Sequence, residues 1–250
     1  MIEYTHRLTS GMCGIFGVAL YAWAGKRFGW RSRVAMASLG CLFFIIAEGA
    51  IGAGLVLQEL VADDASEARA TVISLHLVNT LALLATASLV AWWSKPRATG
   101  PPPRLRMPLG TVLGFLVIVS MSGAVTALGD TLFPVTVGSE GMLDHVLSDL
   151  SATQHFLVRL RIVHPVLAIL VALGAWRLAL VCTDDAQGET LTLARAALIG
   201  ITLQVLVGFS NIAMGAPGWM QLVHLLLAEM IWVCFLLLFV SARADGQSEP

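Results

Sequence analysis

Four histidines lie near the ends of long apolar segments, and their types and positions could bind an iron cofactor or a similar ligand. They are His6, His76, His164 and His224, out of six histidines in the sequence. At a rise of 1.5 Å per helical residue, each comes within about 10 Å of the same predicted membrane face. Ionisable residues inside a membrane are rare and usually face a bundle interior or a cavity. The four histidines therefore predict one ligand-binding layer.

These histidines form two similar pairs. His76 in SLHLVNTLALL and His224 in LVHLLLAEMIW are each followed by leucine and an apolar run, whereas His6 and His164 each open an apolar segment. Between the members of each pair lies a segment with a polar residue followed by small residues: Glu48 in AEGAIGAGLVL of the first half and Gln204 in LQVLVGFSNIA of the second. This pattern indicates an internal repeat that gives each half two histidines on separate helices.

Two imidazoles facing each other across an apolar gap suit a haem, whose iron they bind axially while the macrocycle packs against apolar side chains. Zinc suits the pattern less well, because it needs closely grouped ligands and the chain has no HExxH or comparable spacing. Arg7, Arg159 and Arg161 could pair with haem propionates. Ordinary anchoring at the membrane surface is the alternative, but arginines are less expected on the outer side, which favours the propionate role.

Glu3 precedes His6 by three residues, so the two share a helix face. As a carboxylate at a helix N-terminus, Glu3 is favoured by the helix dipole. Beside a haem edge, it could instead act as a proton donor or stabilise charge. Glu48, in the outer half of the second apolar segment, is a candidate to join it, and Glu229 has no assigned role.

The elements that carry these residues are predicted to be membrane-spanning helices. The chain has 250 residues, of which 57% are hydrophobic and 12% charged, with a mean hydropathy of +0.82. A soluble domain carries about 25% charged residues, so the chain is predicted to be an all-α integral membrane protein. A net charge of −1 excludes a general basic surface for nucleic acid. Seven apolar runs are long enough to span a bilayer: 4–25, 34–57, 70–93, 108–128, 157–181, 192–213 and 219–241.

Loop charges predict the orientation of these spans. The loops 26–33 and 95–106 are basic, whereas 58–69 and 129–154 are acidic. By the positive-inside rule the basic loops are cytoplasmic, which puts the N-terminus outside, the C-terminus inside and the histidine layer near the outer face. Short loops favour a bacterial cytoplasmic membrane.

The same loops divide the chain into two pseudo-repeated halves of one helical bundle. A Pro-rich cytoplasmic linker joins the three spans of the first half to the four of the second. The predicted organisation is an N-terminal half at 1–95, the linker at 96–107, a C-terminal half at 108–241 and a cytoplasmic tail at 242–250.

The stretches IEYTHRL, LHLVNTLALLATASLVAWW, RLRIVHPVLA and NIAMGAPGWMQLVHLLLAEMIW together resemble the haem A synthase family. The resemblance covers most of the chain, and its specificity comes from the four histidines combined with the Glu-x-x-His opening. It implies an enzyme that oxidises the C8 methyl of haem O to a formyl group by successive O2-dependent hydroxylations, with haem b passing electrons.

Carried onto this sequence, the resemblance implies that His164 and His224 bind the iron of a haem b cofactor. His6 and His76 match the histidines on either side of the substrate, haem O, and Glu3 matches the catalytic glutamate. The family has two four-helix halves, so the resemblance also implies that its first helix, with the outer loop that often carries a cysteine pair, has no counterpart in these 250 residues. Either the protein is longer than this sequence or it is a short form.

The expected partners are the lipid bilayer, haem O, the haem O synthase that supplies it, an electron donor and a second copy of the chain. Two other functions use the same histidines. One is a membrane b-type cytochrome that only transfers electrons and does not need Glu3. The other is a non-catalytic haem-handling assembly protein, which would bind haem without turnover.

Overall fold

All regular structure in the described part of the chain is helical, which confirms the predicted fold class. The computed structural model describes residues 2–95, 101–134 and 154–242, except the side chains of residues 2–4, 6, 7 and 103. His145, residues 96–100 of the linker and most of the C-terminal tail lie outside these residues. The helices are α1 (Ile2–Phe28), α2 (Arg33–Leu57), α3 (Glu67–Trp93), α4 (Arg106–Leu132), α5 (Phe156–Leu160), α6 (Val163–Asp185), α7 (Gly188–Ala213) and α8 (Gly218–Ser241). A short 3-10 helix, Pro103–Leu105, precedes α4.

Within the described residues, seven helical segments are long and apolar enough to cross a membrane, as predicted. Helices α5 and α6 together form one of them, Phe156–Asp185. Their length exceeds the roughly 20 residues that a bilayer requires. The chain is an integral membrane protein.

Side-chain size is distributed as lipid-embedded helices require. Bulky apolar residues such as Ile15, Leu57, Leu170 and Leu222 are more than 60% exposed, which suits contact with lipid tails. Small residues at helix interfaces let backbones approach closely. Six alanines within the described helices are essentially buried: Ala24, Ala35, Ala175, Ala179, Ala194 and Ala197.

The described chain packs as two compact units. The N-terminal unit contains α1, α2 and α3 from Leu75 onward. Its buried cluster includes Ala24, Val34 and Val90, one from each helix. The turn between α1 and α2 passes through Gly29, whose φ of +91° suits glycine.

The C-terminal unit contains the first turns of α3, through Ser74, and α4 to α8. Ala70 of α3 packs there against Leu128 of α4 and Leu157 of α5. The Ser66 hydroxyl accepts a hydrogen bond from the backbone N–H of Arg69 at 3.1 Å and so caps α3.

Helix α4 continues four residues beyond its predicted end at 128, into the segment that polarity marked as an outer loop. Asp130 and Arg161 explain the difference. Their side chains approach to 3.6 Å and are 13% and 11% exposed, so the carboxylate inside the helix has a charged partner. Gly129 lies so close to α5 that a Cβ there would come within 3.0 Å of the Leu157 carbonyl oxygen. The sequence also predicted one continuous fifth span, whereas the structure divides it into α5 and α6.

Candidate functional sites

The C-terminal unit brings two of the predicted histidines together. His164 lies in the first turn of α6 and His224 in the second turn of α8. Their ring centroids are 6.3 Å apart and the ring planes are nearly perpendicular, at 84°. Two helices that are distant in sequence therefore present a pair of half-buried imidazoles to each other.

Ser122 of α4 determines which nitrogen of His164 is free. The Ser122 hydroxyl donates to the Val119 carbonyl at 2.8 Å, so its oxygen is left to accept from His164 Nδ1–H at 3.0 Å. This assignment makes Nε2 the nitrogen with an available lone pair. Nε2 has no hydrogen bond to any described residue, and it is therefore available as a ligand atom.

The second histidine has a neutral partner on α7. Gln204 Nε2 lies 3.2 Å from His224 Nε2. Gln204 Oε1 and His224 Nδ1 are buried without a hydrogen bond within the described residues. Buried polar atoms are normally satisfied, so these two leave a place for a further polar group that the described residues do not supply.

Each imidazole of this pair also packs against a glycine of a neighbouring helix. A Cβ added at Gly123 of α4 would lie 3.0 Å from Cε1 of His164. A Cβ added at Gly208 of α7 would lie 3.0 Å from Cε1 of His224. Each ring thus occupies space that the side chain of any residue other than glycine would fill at position 123 or 208.

Of the three predicted propionate-binding arginines, Arg7 has its side chain outside the described residues, and the other two have different surroundings. Arg159 of α5 is exposed. Arg161, just after α5, donates from Nη2 to the Phe133 carbonyl at 2.9 Å, and its Nε lies 3.6 Å from Asp130 Oδ1. Arg161 thus joins the end of α4 to the α5–α6 junction.

We expect Arg161→Gln to lower the stability of the protein by about 2 kcal/mol, since hydrogen bonds to charged groups contribute that much. The change removes the donor to Phe133 and the cation beside Asp130. Thermal unfolding in detergent measures the effect. The matched control is Arg177→Gln, which removes an exposed charge of α6 and should leave the melting temperature unchanged. Equal shifts for the two variants would contradict the anchoring role of Arg161.

In the N-terminal unit, His76 of α3 meets a carboxylate from α2. His76 Nδ1 lies 2.6 Å from Glu48 Oε2. The distance is that of a hydrogen bond, but the two groups are not aligned as one. Asn79 donates to the same oxygen at 2.9 Å, and the Thr80 hydroxyl contacts Glu48 Oε1. The carboxylate is thus held by three side chains of one neighbouring helix.

Glu3 and His6 both lie in α1, but their side chains are outside the described residues. His155, which had no predicted role, immediately precedes α5. Its Nδ1 accepts from the Leu157 N–H at 3.3 Å, and its ring lies near those of Phe133 and Phe156, with centroids 4.9 and 4.6 Å away. His155 is therefore a helix cap with aromatic packing.

Sequence reasoning missed the residues that hold the histidines. Ser122 and Gly123 gave no signal, because small residues are common throughout membrane helices. Asn79 and Thr80 follow His76 at helical spacings of three and four, which places them on its side of α3. That spacing could have identified them.

Comparisons with known proteins complete the description of the sites. A family model, COX15-CtaA, described as cytochrome oxidase assembly protein, matches residues 1–236. Two curated proteins named Protoheme IX farnesyltransferase, from two strains of Thermus thermophilus, are 42% and 41% identical over 98% of this chain. The chain spans only 40% of the length of each. A Symbiobacterium thermophilum protein named Heme A synthase is 26% identical over 53% of this chain and 44% of its own length. No solved structure matches the chain significantly.

Proposed function

The chain belongs to the COX15-CtaA family of cytochrome oxidase assembly proteins, and from this premise we propose that it is a haem A synthase-like oxidoreductase. It converts the C8 methyl of haem O to a formyl group by successive O2-dependent hydroxylations. The likeness to a protein named Heme A synthase supports the activity. The observation that carries the proposal is the pairing of His164 with His224.

Haem b is the proposed cofactor of the C-terminal half. An iron between two imidazoles holds its ligand nitrogens about 4 Å apart and the ring centres about 6 Å apart, because metal–imidazole bonds are about 2 Å long. The 6.3 Å between the centroids of His164 and His224 fits this requirement.

When bound, haem b supplies one-electron transfer. The chain supplies the ligands and their orientation: Ser122 fixes the tautomer of His164, while Gly123 and Gly208 give both rings room. Arg159 and Arg161 are proposed to hold the propionates, since a guanidinium pairs well with a carboxylate.

The N-terminal half is the proposed haem O site, with His6 and His76 on either side of the substrate. Glu3 is the proposed catalytic residue, three positions before His6 on α1. A carboxyl group at this position can transfer a proton at the haem edge as the methyl group is hydroxylated. Each hydroxylation consumes O2, two electrons and two protons and releases water. Loss of water from the second product leaves the formyl group.

The Thermus relatives suggest where haem O comes from. They are named for the farnesylation of protohaem, and this chain spans 40% of their length. We assign the matched part to methyl oxidation and the remainder to farnesyl transfer. A haem O synthase is therefore the proposed partner, fused or separate. The other proposed partner is an electron donor. The proposed location is a bacterial cytoplasmic membrane, with the N-terminus of the chain outside.

A haem inventory tests this function. The protein would be expressed in cells that make haem O but not haem A, and the extracted haems identified by mass spectrometry. We expect haem A or its hydroxylated precursor, together with haem b. In a matched Glu3→Gln variant, haem O should accumulate while haem b remains. Haem b with unconverted haem O in the wild type would instead support the b-type cytochrome or the assembly protein.

A further inference from the structure

We propose that Glu48 is a positioning residue that orients His76 towards the substrate iron and makes this histidine a more electron-donating ligand than those of the C-terminal half. The inference rests on the proposed function, since it assumes that His76 binds the iron of haem O. It assigns a role to a carboxylate inside a membrane-spanning helix that the proposed reaction does not use directly.

Glu48 is held in one place by α3. Asn79 Nδ2 donates both to Glu48 Oε2, at 2.9 Å, and to the Phe44 carbonyl, at 3.0 Å. The Thr80 hydroxyl contacts Glu48 Oε1 and lies 3.1 Å from the His76 carbonyl oxygen. A carboxylate inside a membrane-spanning helix costs free energy unless it is paired and hydrogen-bonded. Both of its oxygens have partners.

The position of Glu48 selects one nitrogen of His76. Oε2 lies 2.6 Å from Nδ1, so the carboxylate favours the tautomer with its proton on Nδ1. Nε2 then carries the lone pair, and it has no hydrogen bond to any described residue. The two atoms are already within hydrogen-bond distance. Metal-bound histidines commonly donate their other N–H to a carboxylate, which orients the ring and raises its basicity.

The internal repeat allows the charged Glu48 to be compared with the neutral residue in the corresponding segment of the other half. Gln204 occupies the equivalent segment of the C-terminal half and contacts His224 at 3.2 Å. The first half therefore places an accepting carboxylate at Nδ1 of its histidine, whereas in the second half the neutral amide N–H of Gln204 donates to Nε2 of His224. An electron-rich axial ligand favours O–O cleavage, whereas neutral ligands suit electron transfer. Glu48 therefore suits the oxidation of haem O proposed for the N-terminal half, and Gln204 suits the electron transfer proposed for the C-terminal half.

Midpoint potentials of the two haems test the inference. The full protein would be purified, loaded with haem O without oxygen, and titrated spectroelectrochemically. We expect Glu48→Gln to shift the haem O potential upward, to lower the iron–histidine stretching frequency and to weaken haem O retention about 10-fold or more. Glu48→Asp should restore part of each shift. Conversely, Gln204→Glu should lower the potential of haem b.

The haem b spectrum serves as the internal check of folding, since Glu48→Gln should leave it unchanged. The matched charge control is Glu67→Gln, which alters an exposed residue at the start of α3 and should change neither potential. An unchanged haem O potential and stretching frequency in Glu48→Gln would overturn the inference, even if retention fell, because a loss of helix packing alone explains weaker retention. If the wild type bound or converted no haem O, the proposed function would fail instead.

Discussion

His224→Ala is expected to remove haem b from the purified protein almost completely. Changes to residues that merely support a metal ligand cost about 10–100-fold in affinity, so loss of a ligand should cost at least that much. His164 would remain, but the 6.3 Å pairing of the two rings would be gone. The haem b content per mole of protein, measured as its pyridine haemochrome, gives the result. His164→Ala should behave in the same way.

The matched control is another histidine of the same unit. His155→Ala removes a helix cap, with its contact to the Leu157 N–H, and should cost about 1 kcal/mol of stability. It should leave haem b in place. Retention of haem b by His224→Ala, or equal loss in His155→Ala, would argue against His164 and His224 as the ligand pair.

Gly208→Val is expected to prevent haem b binding without removing any ligand. Even the first carbon of a side chain at this position would lie 3.0 Å from His224 Cε1. Because Cε1 lies between the two ring nitrogens, displacing it moves both of them. Gly208→Ala should have a smaller effect, visible as a changed haem b spectrum and reduced occupancy. Gly123→Ala should act similarly through His164.

Two other glycines of the same unit provide the comparison. Gly114 in α4 and Gly174 in α6 have no neighbouring atom within 4 Å of an added Cβ. Alanine at either position should leave haem b binding unchanged and stabilise the helix by at most about 1 kcal/mol. If all four alanine variants behaved alike, space around the imidazoles would not limit binding.

Much of the fold could be predicted because the bilayer imposes a simple length requirement on each helix. The seven spans follow from it, and only their ends and the break in the fifth differ from prediction. Asp130 is the informative case, since an acidic residue ends an apolar run in sequence but remains helical when Arg161 lies beside it. Such a partner, distant in the chain, cannot be read from local polarity.

The candidate sites were predictable where the sequence repeats and unpredictable where support depends on contacts between helices. The repeat indicated that His164 and His224 face each other, and their rings do lie close together. It did not indicate Ser122, whose hydroxyl is one of many in the spans and becomes informative only through its distance to His164. The contact between Glu48 and His76 likewise depends on the register of α2 against α3, which residue types alone do not give.

The six buried alanines have a consequence for how this protein can evolve. Because these methyl groups are almost completely buried, a larger side chain would have to displace its neighbours, so these positions tolerate little change. The bulky residues that face lipid, such as Leu170 and Leu222, can exchange for one another freely. Over evolution, the buried alanines should therefore change less often than the large residues that face lipid.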